Sequence, residues 1–218
     1  AVGANGTILS SSDGSNWQSN VSGVSDNLNQ VVWQNGQFVA VGDNSKVLTS
    51  PDGISWTEQT SIDTGNLRSV LFDGNELLLG SNNGELFSSQ NGQSFTPMQQ
   101  TLQQLTAIAS DGGNVLVRAA NPGGIQLSND QGKSWSELSG LGTLNINALE
   151  YFNGRFVAVG DNGLIMFSTD GSNWSAANSG ANGNINDVFW YTGQDLRGTV
   201  FSLYVAVGSN GLILTSQD

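Results

Sequence analysis

One turn recurs along the whole chain and limits what it can fold into. It reads SSDGSNW from Ser11, SPDGISW from Ser50, SQNGQSF from Ser89, SNDQGKSW from Ser128 and STDGSNW from Ser168, with SQD from Ser216 opening a sixth. The acidic position falls at Asp13, Asp52, Asn91, Asp130, Asp170 and Asp218, at spacings of 39, 39, 39, 40 and 48 residues. A fixed period of about 40 residues is the signature of one supersecondary unit repeated side by side, because a single unit cannot bury its own apolar faces.

The unit is built of strands. Before each turn stands an apolar pair (Ile8-Leu9, Val47-Leu48, Leu86-Phe87, Ile213-Leu214), and before that an apolar run such as FVAVG from Phe38, LLLG from Leu77, FVAVG from Phe156 or YVAVG from Tyr204. Between run and pair sit Asn5-Gly6, Asn83-Gly84, Asn162-Gly163 and Asn210-Gly211, a strong hairpin signal because both turn residues take positive φ. A further strand opens the unit at Leu28, Leu67, Leu105, Ile146 and Ile185. The reading is therefore all-β: a β-propeller of about six four-stranded antiparallel blades, in which each sheet buries its two faces against its neighbours. One domain over 1–218 is expected, in units 1–27 (partial), 28–66, 67–104, 105–145, 146–184 and 185–218 (partial). Two strands are then lacking from six full blades, which predicts an incomplete rim, a larger parent chain or strand exchange between chains.

In each turn the carboxylate can accept backbone N–H bonds, the Gly supplies positive φ and the Trp covers the hairpin. Asp13, Asp52, Asn91, Asp130, Asp170 and Asp218 are accordingly assigned a structural role. The third turn, with Asn91 and Phe95 in place of Asp and Trp, is expected to be the loosest. The motif resembles the Asp box of sialidase-like and BNR-repeat propellers. The whole unit is similar to the repeats of photosystem II assembly-factor-like propellers and related bacterial surface proteins. That resemblance implies the propeller fold and leaves the activity open, since unrelated functions share it.

The chemistry of the chain narrows the function. Eighteen acidic residues against six Lys and Arg give a net charge of −12, which repels phosphate backbones and anionic lipid heads, so nucleic acid is excluded as a partner. No apolar run reaches the roughly 18 residues of a membrane span, so no membrane insertion is expected. With no His and no Cys, no metal site or cofactor is expected, and the usual general base is missing. A sialidase arginine triad is not available: of Arg68, Arg118, Arg155 and Arg197, two lie on strands aimed at a central site. Xyloglucan-cleaving glycosidases hold their carboxylates between two such domains, and one domain is read here.

Carboxylates outside the turns are Asp43 and Asp161 between second and third strands, Asp26 and Asp63 in loops entering first strands, and Glu150 and Asp187 on first strands. Aromatics close the first strands at Trp33, Phe72, Tyr151 and Trp190. The ten residues Gln194–Leu203 are an insertion, expected as a surface loop. The loops 18–27, 57–66, 96–104, 137–145 and 175–184 differ freely, whereas the Ser-x-Asp turns are nearly identical. The expectation is a non-catalytic recognition or scaffold module, secreted or at the cell envelope, binding a polysaccharide or protein on one rim through Asp26, Asp43, Asp63, Asp161, Trp33 and Trp190. The alternatives are a glycoside hydrolase or lyase using acidic rim residues, and a ligand-free repeat scaffold.

Overall fold

A computed structural model of the chain describes residues 1–218 except 35, 60–61, 63, 99–103, 122–123, 140, 142–143, 195–198 and 218. The chain resolves into two compact units, 1–106 and 107–218. The first unit holds sheet I, β1 (Ile8–Ser10) and β2 (Gln18–Asn20); sheet II, β3 (Leu28–Gln34), β4 (Gln37–Gly42), β5 (Val47–Ser50) and β6 (Thr57–Glu58); and sheet III, β7 (Leu67–Phe72), β8 (Leu77–Ser81), β9 (Leu86–Ser89) and β10 (Thr96–Pro97). Sheet IV is β11 (Gln104–Ser110), β12 (Leu116–Asn121), β13 (Gly124–Ser128) and β14 (Ser136–Glu137), and it lies almost wholly in the second unit. Sheet V is β15 (Ile146–Phe152), β16 (Arg155–Gly160), β17 (Ile165–Ser168) and β18 (Ser175–Ala177), and sheet VI is β19 (Ile185–Gln194), β20 (Val200–Gly208) and β21 (Ile213–Ser216).

Within each sheet the strands follow in chain order and pair antiparallel, as the hairpin signals predict. The count differs from the expected six blades. Among the described residues four sheets are complete, sheet VI has three strands and sheet I is a two-stranded hairpin, so five sheets reach blade size. In sheet I an isolated bridge, Val2 to Ile8, stands beside the β1–β2 hairpin. The insertion also differs from the expected loop. Tyr191, Thr192, Gly193 and Gln194 pair with Leu203, Ser202, Phe201 and Val200, extending the β19–β20 hairpin. Alternating β-branched and aromatic residues favour that pleated continuation.

The apolar pattern explains why these sheets pack face to face. Val39, Ala40 and Val41 are consecutive and fully buried, so β4 is covered on both sides. Val39, Val41 and Val47 of sheet II pack with Leu67, Val70 and Leu79 of sheet III, and Val157 and Val159 of sheet V pack with Ile185 and Val188 of sheet VI.

The Ser-x-Asp turns fold as their sequence dictates. In the second, Asp52 Oδ1 accepts the N–H groups of Ile54 (2.8 Å) and Ser55 (2.7 Å), Ser50 Oγ accepts Gly53 N–H (2.8 Å), and Trp56 Nε1 donates to Gly53 O (3.1 Å). The Ser55 and Ile54 N–H bonds hold the Asp52 carboxyl down at about 2, and the Ser134 bonds do the same for Asp130. Asp13 and Asp170 are lowered as well, chiefly by the N–H groups of Asn16 and Asn173. Asn91 keeps the pattern, accepting from Gln93 N (2.8 Å) and Ser94 N (3.0 Å), with a longer Ser89 contact of 3.4 Å and no indole donor. Asp218 lies outside the described residues.

Asp52→Ala should therefore lower the melting temperature at neutral pH, read by circular dichroism, whereas Asp52→Asn should keep most of it, since Asn91 shows that an amide oxygen makes the same two bonds. The folded Asp52 value lies below the ordinary 3.8, so its contribution is complete above that value and lost as pH falls towards 2. The Asn variant should lose that share of the acid slope.

Candidate functional site

A β-bulge at the second residue of the first strand positions the polar end of sheets II, III, V and VI. The register shifts at Leu28/Gln30, Leu67/Ser69, Ile146/Ala148 and Ile185/Asp187, leaving Asn29, Arg68, Asn147 and Asn186 unpaired and re-aimed. Asn29 Nδ2 donates to Asp43 Oδ1 (3.0 Å) and to Leu67 O of the next sheet (2.7 Å). Asn147 Nδ2 repeats this on Asp161 Oδ1 (3.1 Å) and Ile185 O (2.9 Å). One amide thus ties its own second-to-third turn to the following sheet. These clips were not among the candidates, although an Asn 14 residues ahead of Asp, as in 29/43 and 147/161, was a signal available in the repeat.

The turns themselves depend on positive φ. Asn5 and Gly6 stand at φ 54 and 67, and Asn162 and Gly163 at 57 and 73. A Cβ on Gly163 would lie 2.0 Å from Ala181 O, because the loop entering the next sheet presses against it. Asn5 N–H donates to Asn27 Oδ1 (3.1 Å), Asn44 N–H to Asn66 Oδ1 (3.0 Å) and Asn162 N–H to Asn184 Oδ1 (3.3 Å).

The structure brings Asp26 and Asp43 into one network. Asp26 Oδ1 accepts from Asn44 Nδ2 (2.6 Å), Asp43 Oδ2 from Asn27 Nδ2 (3.0 Å), Arg68 reaches Asp43 at 3.5 Å, and Lys46 stands between Asp26 (3.9 Å) and Glu58 (2.6 Å). Asp161 occupies the same place in sheet V, with Asn145 and Asn147 as donors. Asp63 lies outside the described residues. Trp33 lies near the far end of β3, whereas Trp190 does not close its strand as expected but lies mid-way along the extended β19; each is edge-on to its cross-strand partner, Phe38 (4.5 Å) and Tyr204 (4.4 Å). They are not brought together with the acidic residues. Beside the Ala4–Gly6 turn a polar hollow of about 520 Å³ is lined by Asn5–Thr7 and Ser19–Ser25.

Two further candidates carry perturbed chemistry. Arg118 is buried on β12, stacks on Trp135 (3.9 Å), donates Nε–H to Gln126 Oε1 (2.7 Å) and is lowered to about 10 by burial. It is thereby packed on its own sheet rather than held in an open site. Glu150 pairs with Val157 as Val32 pairs with Val39 and Leu71 with Leu78, so a carboxyl occupies an apolar position of the repeat. Its strand neighbours Ala148 and Phe152 pack into the seam between sheets V and VI. Burial, reinforced by the charge of Asp187, pushes Glu150 up to about 8, and burial raises Asp187 too. Among the described residues no group of three or more acidic side chains is placed to hold a metal ion.

A family model, the DUF6242 beta propeller domain, matches residues 31–145. The chain belongs to this family. Its four-stranded antiparallel sheets are propeller blades. Solved structures agree on the fold: YCF48 bound to D1 peptide (20% identity, TM-score 0.68, 100% of this chain and 73% of that one), YCF48 from Cyanidioschyzon merolae (17%, 0.67, 96% and 76%) and the GH74 enzyme of Niastella koreensis (18%, 0.66, 100% and 35%). No curated protein matches the sequence. At these identities the likeness is one of fold.

Glu150 gives this propeller a stability that depends on pH. Its folded value of about 8 exceeds the ordinary 4.5, so between the two the folded chain holds a proton that the unfolded chain has released. Stability from this group is complete below the ordinary value and is lost as pH rises to about 8. Glu150→Gln should match the parent near pH 4 and exceed it at pH 8 by roughly 2–4 kcal/mol, measured by denaturant unfolding at both pH values.

Proposed function

We propose that this propeller is a non-catalytic recognition module that binds a polar segment of a partner protein at the blade ends carrying the second-to-third turns. The observation that carries this reading is the division of labour at those ends. Asn29, Asn147 and the backbone bonds of Asn5, Asn44 and Asn162 immobilise the turns, while the adjoining loops vary and one of them borders the 520 Å³ hollow. A rigid support under variable loops is the usual build of a binding surface. Amide and hydroxyl groups there suit peptide backbone or sugar hydroxyls, and Asp26, Asp43, Asp63 and Asp161 disfavour anionic ligands. A structural relative with 20% identity carries a bound peptide, which supports a protein ligand. The same proposal takes the Ser-x-Asp turns as Asp boxes and places the protein outside the cytoplasm, secreted or at the cell envelope, with a polysaccharide as the alternative ligand.

A second reading, glycoside hydrolysis, rests on one observation: two carboxyls, Glu150 and Asp187, are both raised by burial, and the Asp187 charge pushes Glu150 further, up to about 8. Glu150 sits in an apolar seam, however, whereas the hollow is lined by amides and hydroxyls.

Pull-down and a glycan array test both. Replacing the exposed loop residues Val21 and Ser25 should weaken capture and leave the melting curve unchanged, and replacing 195–198 with a short turn should leave capture intact. Capture lost only in the second variant would place the site at the other ends of the blades. Turnover of a glycoside that disappears in Glu150→Gln would sink the non-catalytic reading.

A further inference from the structure

Asn followed by Gly is the dipeptide in which a side-chain amide is most easily attacked by the next backbone nitrogen, because glycine puts no Cβ in the way. The chain contains eight such pairs, beginning at Asn5, Asn35, Asn83, Asn91, Asn153, Asn162, Asn182 and Asn210, so the fold decides which of them can react. Attack requires a Gly nitrogen that is not held in a hydrogen bond and a peptide plane that can rotate towards the Asn side chain.

In four pairs the nitrogen is engaged. Gly6 N–H donates to Asp26 O (2.8 Å), Gly84 N–H to Ser81 O (3.0 Å), Gly163 N–H to Gly183 O (2.8 Å) and Gly92 N–H to Ser89 Oγ (2.9 Å). Two more pairs are held by the turn that contains them. Asn153 stands at φ 52 between the paired residues Phe152 and Arg155, and Asn210 at φ 60 in a turn closed by Leu212 N–H on Ser209 O (3.2 Å). Rotating either Asn–Gly plane means opening that turn. Asn35 lies outside the described residues.

Asn182 differs in each respect. It is exposed, lies in the loop between β18 and β19, and is not among the residues at positive φ. Gly183 N–H makes no hydrogen bond among the described residues, and a Cβ on Gly183 would meet nothing within 4 Å, so a cyclic imide has room to form. The residues on either side are anchored. Ser179 Oγ donates to Gly163 O (2.7 Å) and accepts from Ala181 N–H (3.1 Å), and Gly183 O accepts from Gly163 N–H.

We propose that Asn182–Gly183 is a site of spontaneous succinimide formation, which converts Asn182 to aspartate and isoaspartate and unhooks the loop entering sheet VI from the Asp161–Gly163 turn of sheet V. The Gly183 backbone nitrogen gives its proton to solvent base and bonds to Asn182 Cγ. The Cγ–Nδ2 bond breaks, and the amide nitrogen leaves as ammonia with a proton returned by solvent. Water then opens the ring. Addition at Cγ gives aspartate, and addition at the Asn182 main-chain carbonyl gives isoaspartate, whose backbone runs through Cβ and Cγ. That longer backbone, between the anchors at Ala181 and Gly183, carries Gly183 O away from Gly163 N–H. Conversion also adds a negative charge to a loop of the variable set.

Peptide mapping by mass spectrometry on the full chain held in mildly alkaline buffer, with methyl labelling by an isoaspartyl methyltransferase, tests it. Asn182 should convert about tenfold or more faster than Asn5, Asn83, Asn91 and Asn162, since each of those must first release a hydrogen bond. In denaturant the rates at these pairs should converge. Gly183→Ala, for which the structure leaves room, should slow Asn182 about tenfold and leave the melting curve unchanged. Hydrogen exchange should show Gly163 N–H losing protection in the isoaspartate form and keeping it in Asn182→Asp, which adds the charge without lengthening the backbone. An Asn182 rate no greater than those of the four hydrogen-bonded pairs overturns the proposal. So does conversion led by Asn153 or Asn210, or Gly163 protection that survives isoaspartate formation.

Discussion

The inner strands of the blades carry apolar residues on both faces, and that single constraint governs the rest. Val39, Ala40 and Val41 follow one another in β4 with no solvent exposure, as do Ala158 and Val159 in β16, so neither face tolerates water. Burying a Val or Leu side chain is worth about 1.5–3 kcal/mol, and a lone blade would forfeit that on two faces at once. The repeat is the consequence. Each blade is held in place by the apolar face of the one that lies against it.

The polar residues have been sorted by the same pressure. With apolar residues filling the blades, side chains able to donate or accept gather at the strand ends, where the Asp carboxylates satisfy turn N–H groups and the bulged Asn residues satisfy carbonyls of the next blade. Acidic side chains that look like ligands in a list are thus in part bolts. Asp43 accepts from Asn27 and Asn29 and Asp161 from Asn145 and Asn147, so that any ligand at these ends meets a surface whose hydrogen bonds are already assigned. What remains free for recognition is the varied loop between the bolts.

Much of this was legible in the sequence for a physical reason. The positive φ of Asn5-Gly6 and Asn162-Gly163, the hairpins and the four-stranded unit follow from local steric rules that act within a few residues. The site was less legible. Trp33 and Trp190 share a repeat position, but nothing local shows that this position lies away from the strand ends that carry Asp43 and Asp161; that follows from the direction of the first strand. The bulges at Asn29 and Asn147 are invisible to strict alternation, since a bulge changes the face of one residue and leaves the composition intact. The blade count failed for a related reason: a repeat specifies blades by their turns, whereas a sheet exists only where enough residues pair.

The two ionisable residues placed inside blades show what departures from the repeat do. Arg118 pairs across β12–β13 with Gln126, where sheet II pairs Ala40 with Leu48, so a guanidinium and an amide replace two apolar groups. They are partly satisfied as a set: Gln126 accepts from Arg118 and donates to Glu137 (3.3 Å), and Trp135 offers its ring face, while Arg118 Nη1 is buried without a hydrogen bond among the described residues. Glu150 has no such company. Its seam holds Ala148, Phe152, Val157 and Val188, and its carboxyl answers by keeping its proton. A buried carboxyl that stays neutral avoids most of the cost of desolvating a charge, and that cost returns only when rising pH forces ionisation.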